Sequence, residues 1–153
     1  MKKYVLLVAF LSLSETSHAE NQFSIGLGEP YGGFLGGKYA IGLENFKVYA
    51  GAGLLGYSSD FGSVPGYNLG FDYRIESTKH SLGLSYGTVA LSSINRKKAE
   101  YIGTALNYNY YFSDFNSRSW MLGLSAFQGK RDTPSSKYKD NETGLTINVG
   151  FQF

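Results

Sequence analysis

Over its last stretch the chain alternates without a break. Thr143, Leu145, Ile147, Val149, Phe151 and Phe153 take every second position, with Gly144, Thr146, Asn148, Gly150 and Gln152 between them. Side chains on an extended strand point to opposite faces in turn, so this segment has one apolar face and one small or polar face. A tilted strand of ~9–11 residues crosses a bilayer, and the segment from Thr143 to Phe153 is of that size. An amphipathic strand of a soluble sheet would show the same alternation, so the remaining segments have to decide.

Seven more segments repeat the pattern: Gln22–Gly28, Gly33–Leu43, Phe46–Tyr57, Tyr67–Glu76, His80–Ala90, Tyr101–Phe112 and Trp120–Gly129. The fourth is the cleanest, with Tyr67, Leu69, Phe71, Tyr73 and Ile75 set against Asn68, Gly70, Asp72, Arg74 and Glu76. The third is the weakest, because Tyr49 puts an apolar group on the second face as well. No segment holds a helical period of 3.6, and none is expected to be helical. The connections alternate in length. Glu44-Asn45 and Ser77–Lys79 are tight, and Ser113–Ser119 is slightly longer. Ser58–Gly66, Leu91–Lys98 and Lys130–Asn141 are long and polar, while Glu29–Gly32 is short. Eight antiparallel strands joined in this way predict an all-β, up-and-down barrel with the long connections at one end.

The start of the chain reads differently. Lys2 and Lys3 precede an apolar run from Tyr4 to Leu13, and Ser17-His18-Ala19 is small at both positions that a leader peptidase reads. This predicts a secretory signal peptide over residues 1–19, cleaved to leave a barrel domain of residues 20–153 that begins at Glu20. Without Lys2, Lys3 and Glu15, the 14 Lys/Arg and 12 Asp/Glu of the whole chain become 12 and 11, a net charge of +1. That gives no argument for a nucleic-acid partner. With no cysteine in the chain, disulfides, thiolate metal sites and a lipid-modified cysteine are excluded.

The position of the large apolar groups separates a soluble barrel from a membrane one. A soluble ligand-binding barrel fills its interior with them and shows charge to water. Here the second face is Gly, Ala, Ser, Thr and Asn, which suits the lining of a narrow barrel better than a solvated surface. Aromatic residues gather near the ends of the apolar face, at Phe46, Tyr67, Phe112, Trp120, Phe151 and Phe153, where membrane interfaces favour them. On these features the region after Ala19 resembles small eight-stranded outer-membrane β-barrels of the OmpX, OmpA-domain and opacity type. The resemblance implies a transmembrane barrel, monomeric and without cofactor, in contact with outer-membrane lipid and lipopolysaccharide. It also implies that Val149, Phe151 and Phe153 form the C-terminal signal read by the barrel assembly machinery.

Charges on the small face need partners inside such a barrel. A two-residue turn at Glu44-Asn45 places Lys38 opposite Gly51. A loop centred between Phe61 and Gly62 would place Gly51 opposite Asp72, Tyr49 opposite Arg74 and Lys47 opposite Glu76. Lys38, Lys47, Tyr49, Asp72, Arg74 and Glu76 are therefore expected to form an interior polar network, with Lys38 reaching Asp72 and Arg74 lying on the Tyr49 ring. Such a network either fills and rigidifies the barrel or lines an ion path, so a packed interior and a small channel both stay open.

Catalysis finds little support. The lone histidine after the leader, His80, adjoins Ser81, but strand neighbours face opposite ways and cannot easily act as base and nucleophile. No metal-binding or phosphate-cradling motif is present, so no cofactor is expected, and a lipid-modifying enzyme is the weakest reading. Arg96, Lys97, Lys98, Lys130, Arg131, Lys137 and Lys139 all fall in the long connections. They suit lipopolysaccharide phosphates, a host or polysaccharide ligand, or plain solvation.

Overall fold

An alternating strand leaves a row of backbone donors and acceptors along each edge, and each row needs a partner. The chain meets this need by pairing every strand with its neighbour in sequence and the last with the first. The computed structural model describes residues 20–59, 62–75, 78–94, 97–131 and 141–153. Its elements are β1 (Glu20–Gly28), β2 (Gly33–Leu43), β3 (Phe46–Ser58), β4 (Gly62–Arg74), β5 (His80–Ile94), β6 (Lys97–Tyr111), β7 (Ser119–Arg131) and β8 (Asn141–Gln152). They form a closed, antiparallel, up-and-down barrel in the order β1 to β8. The predicted leader, residues 1–19, lies outside the described residues.

Every strand turns most of its large apolar side chains outward. Ile25, Ile41, Val48, Leu69, Leu84, Leu106, Leu124 and Ile147 are all exposed, whereas Lys38, Asn68, Asp72, Ser85, Asn107, Ser125 and Asn148 are buried inside. The two faces are those the alternation predicts. Aromatic rings border the end that carries Glu20 and Gln152, here called the lower end. Trp120 packs edge-on against Phe151 (centroids 5.1 Å apart), Phe151 against Phe153 (5.0 Å), and Phe153 stacks on Phe23 (6.2 Å). The Phe153 amide donates to the Phe23 carbonyl at 2.9 Å, extending the seam by which β8 closes onto β1.

Three features differ from the sequence expectation, all at the upper end. First, Ser58–Gly66 and Leu91–Lys98 are largely strand. β3 and β4 pair as far as Ser58 with Gly62, and β5 and β6 as far as Ile94 with Lys97.

Second, the β3–β4 register is shifted by four residues. Lys47 lies opposite Asp72, Tyr49 opposite Gly70 and Gly51 opposite Asn68. The hairpin closes tightly after Ser58, and a bulge between Leu54 and Gly56 leaves Leu55 without a partner. Each displaces the pairing from a loop centred at Phe61 and Gly62. The β2–β3 register is as expected, with Lys38 opposite Gly51.

Third, the Glu29–Gly32 connection folds into the barrel, although no α-helix forms among the described residues. Glu29–Tyr31 forms a single 3-10 turn, and all three of its residues are buried. Gly28 and Gly32 flank it with φ of 106° and 78°, backbone that residues bearing a Cβ rarely adopt. They let the chain leave the wall after β1 and return at β2, so the turn enters the barrel.

The register is open to direct test, since the chain has no cysteine of its own. Val48 lies opposite Phe71, so V48C/F71C should cross-link on mild oxidation of the folded barrel. V48C/I75C, the pair favoured by the sequence register, should not. Cross-linking of the second pair alone would restore the original register.

Candidate functional site

Two inserted segments meet inside the barrel and organise its polar groups. From above comes Glu29–Tyr31. The Glu29 carboxylate accepts from Ser85 Oγ (2.8 and 2.9 Å), its backbone N–H donates to Asn148 Oδ1 (3.2 Å), and its carbonyl accepts from the Asn68 amide. Asn148 in turn donates to Ser125 Oγ at 2.6 Å. Three strands thus hold one carboxylate-bearing turn, and β7 braces it through Asn148. Glycines make room for it. A Cβ on Gly51 would strike the Pro30 carbonyl, and one on Gly150 would strike the Tyr31 ring.

From below comes the turn between β6 and β7. Its Phe115 is wholly buried beside Tyr31, Tyr111 and Met121, and its backbone N–H donates to the Thr78 carbonyl at 2.6 Å. The Phe115 carbonyl accepts from Lys47, and the Lys47 ammonium stands 3.8 Å from the centre of the Phe115 ring. Gln152 completes this corner, accepting from Lys47 at 3.0 Å and donating to the Ser117 carbonyl at 2.6 Å.

Between the two plugs lies the ion pair. Lys38 Nζ is 3.4 Å from Asp72 Oδ2, with both side chains almost fully buried. The Lys38 ammonium also faces the Tyr49 ring at 4.7 Å and the Tyr31 ring at 5.5 Å. Asn109 donates to Asp72 Oδ1 (3.3 Å) and Ser81 Oγ (3.4 Å), while Asn107 donates to Tyr49 Oη (3.1 Å) and Ser85 Oγ (3.0 Å). Among the described residues, the charged side chains buried here are Glu29, Lys38, Lys47 and Asp72, two of each sign. A neutral, hydrogen-bonded set is the condition under which a low-dielectric interior tolerates charge.

The sequence-predicted residues distribute unevenly. Lys38, Lys47, Tyr49 and Asp72 come together in the lumen. Arg74 does not, because the register shift carries it to the lower rim. There its Nη2 is 3.9 Å from Glu44 Oε1, with Glu44 largely in solvent, and the cation on Tyr49 is Lys38 instead. Lys47 is opposite Asp72 rather than Glu76 and is held by carbonyl oxygens and ring faces; Glu76 itself lies outside the described residues.

Among the basic residues, Lys130 and Arg131 end β7, and Lys97 and Lys98 begin β6, so these four lie on strands rather than in loops. Lys130 is exposed and Arg131 partly buried. Arg96, Lys137 and Lys139 lie outside the described residues. Val149 and Phe151 take outward positions on β8, with Phe153 next to them at the lower edge. The alternation placed Ser85, Asn107, Asn109 and Asn148 on the inward face without giving them a role, and sequence reasoning missed Glu29, Tyr31 and Phe115. The available signal was glycine on facing strands, at Gly26, Gly51 and Gly150, which leaves a lumen that something else must fill.

His80 points outward, with Nδ1 2.7 Å from Tyr108 Oη, while Ser81 is buried inside. The two do not meet. Among the described residues no group of three or more His, Asp or Glu could hold a metal ion. Protein-family models, curated proteins and solved structures give no significant match to the chain.

Removing one partner of a buried ion pair strands the other, at a cost of roughly 3–5 kcal/mol. Lys38→Met should therefore lower unfolding stability in detergent micelles by about that amount. Lys38→Met with Asp72→Asn should recover a large part of it, because the carboxamide oxygen introduced on β4 can still accept from Asn109. Equal losses in the single and double variants would show that the pair is not coupled.

Proposed function

We propose that the chain is an integral outer-membrane β-barrel with a packed lumen, serving a structural or surface-interaction role rather than conductance or catalysis. The observation that carries this reading is the reversal of polarity. Leu145 is 79% exposed, Leu69 60% and Ile147 66%, while Asn68, Asn107, Asn109 and Asn148 are fully buried. In water such an outer surface would be an aggregation hazard far larger than the patches soluble monomers expose. In a bilayer it is the required one, since the outward face of a transmembrane barrel must be apolar. The aromatic groups at the lower edge, with Arg118 over the Phe151 and Phe153 rings at 5.4 and 5.7 Å, suit the interface between hydrocarbon and headgroups.

The doubly plugged lumen argues against a channel. Ions would have to displace the buried Tyr31 and Phe115 side chains and the Lys38–Asp72 pair. The separation of His80 from Ser81 argues against acyl transfer or hydrolysis by that pair. The exported location rests on the leader at residues 1–19. Surface contact with lipopolysaccharide phosphates rests on the bases near the upper end, Lys130, Lys97 and Lys98, with Arg96, Arg131, Lys137 and Lys139 close in sequence.

Cells expressing the full chain should carry it in the outer-membrane fraction, and the purified barrel should add no stable conductance to planar bilayers. Recovery from the soluble periplasm would overturn the membrane reading. Large, reproducible unitary currents would replace the packed lumen with a pore.

A further inference from the structure

The inserted turn leaves a gap in the wall. β1 pairs with β8 only from Ser24 with Gln152 to Leu27 with Val149, while β8 runs on to Asn141 with β7 as its paired neighbour. On the other side, the last β2–β3 pair is Leu35 with Leu54, while β3 runs on to Ser58 paired with β4. The residues that would have continued β1 and β2 upward are inside the lumen, so among the described residues no strand fills the wall between upper β8 and upper β3. Gly28 and Gly33 form the sill of this notch.

Behind it lies a cavity of about 520 Å³, within the ~300–1,000 Å³ of small-ligand sites. Leu27 and Phe34 line it at the sill, Leu55 and Tyr57 on the β3 side, Ile147 on the β8 side and Leu91 at the back. Phe34 is 73% and Tyr57 78% exposed. Glu29 also lines the cavity, with its carboxylate turned to Ser85.

We propose that the notch is a lateral window through which one hydrocarbon chain of a neighbouring membrane lipid enters the upper lumen. The inference rests on the membrane reading above and goes beyond it. Two observations select a hydrocarbon chain as the occupant. At the mouth, Leu27, Phe34, Tyr57 and Ile147 are apolar, while the polar lining side chains Glu29, Thr88 and Thr146 are turned to the lumen. Leu27 and Ile147 belong to both the cavity and the outward apolar band. A chain moving from the band into the cavity therefore meets apolar side chains at the mouth. An added β-strand is the competing occupant. Its template is poorer, because the bulge at Leu55 breaks the β3 edge, as bulges do on edges that resist pairing. Only upper β8 would remain to receive it.

Fluorescence quenching by phosphatidylcholine brominated at mid-chain tests the window. Trp120 is the only tryptophan, so Trp120→Phe supplies a blank background for single reporters in reconstituted full-length barrel. Leu91→Trp reads the cavity, Leu124→Trp the outward band, and Phe115→Trp the lower plug. The window predicts that the reporters at 91 and 124 both lose most of their emission in brominated vesicles, while the one at 115 keeps it. If 124 is quenched and 91 is not, the window is wrong and the membrane reading stands. If 124 is unquenched, the membrane reading itself fails. A dimer in solution with the reporter at 91 shielded would assign the notch to a strand of a second copy, and also overturns the proposal. Should Leu91→Trp not refold, as judged by heat-modifiable migration on cold gels, Val89→Trp reads the same cavity from a buried position.

Discussion

A closed barrel of eight strands gives its inward side chains no exit, so each donor and acceptor on that face must find its partner across the lumen. Small residues keep the wall from overfilling, but a wall of glycine, serine and asparagine leaves space and unsatisfied groups at its centre. The Glu29–Tyr31 turn and Phe115 occupy that space from opposite ends. They supply what the wall lacks: a carboxylate for Ser85, backbone groups for Asn68 and Asn148, a carbonyl for Lys47 and a ring face for each buried lysine. The plugs and the wall specify one another. Asn148 illustrates this, since its amide joins β7 through Ser125 and the upper plug through the Glu29 backbone.

The same insertion shapes the wall. A turn that enters the lumen shortens β1 and β2 at their upper ends, while β3 to β8 continue upward as extended hairpins. The bulges at Leu55 and Val89 lie beside this opening and bend the strands around it. The interior is thus stabilised at the cost of a continuous wall, and the discontinuity is where apolar side chains crowd a cavity rather than a flat face.

Much of this architecture is legible in the sequence because strand alternation is rigid. Phe151 and Phe153 fix the faces of β8, and Glu44-Asn45 fixes the pairing of Lys38 with Gly51. The β3–β4 register is not legible, since a bulge adds a residue without any change in composition and Gly56, Pro65 and Gly66 blur the alternation where it is needed. Arg74 is misplaced for that reason alone. The plug is hidden for another. Glu29–Gly32 has the length and polarity of an ordinary hairpin loop, and its burial follows from glycines distant in sequence. Only the assembled barrel brings Gly26, Gly51 and Gly150 around Pro30 and Tyr31. Lys38 with Asp72 emerges even from the wrong register, because a long lysine reaches diagonally across one strand.

The reading put forward is that lipid meets the outward face, while the lumen below the Glu29–Tyr31 turn is sealed from it. Solution NMR of the methyl-labelled barrel in lipid nanodiscs measures this directly, through nuclear Overhauser effects from acyl-chain methylenes. The account predicts contacts to Ile25, Val48, Leu69, Leu84 and Ile147, and none to Ala40, Ala105 or Met121. Acyl contacts at the inward methyls, with water at the outward ones, would contradict it.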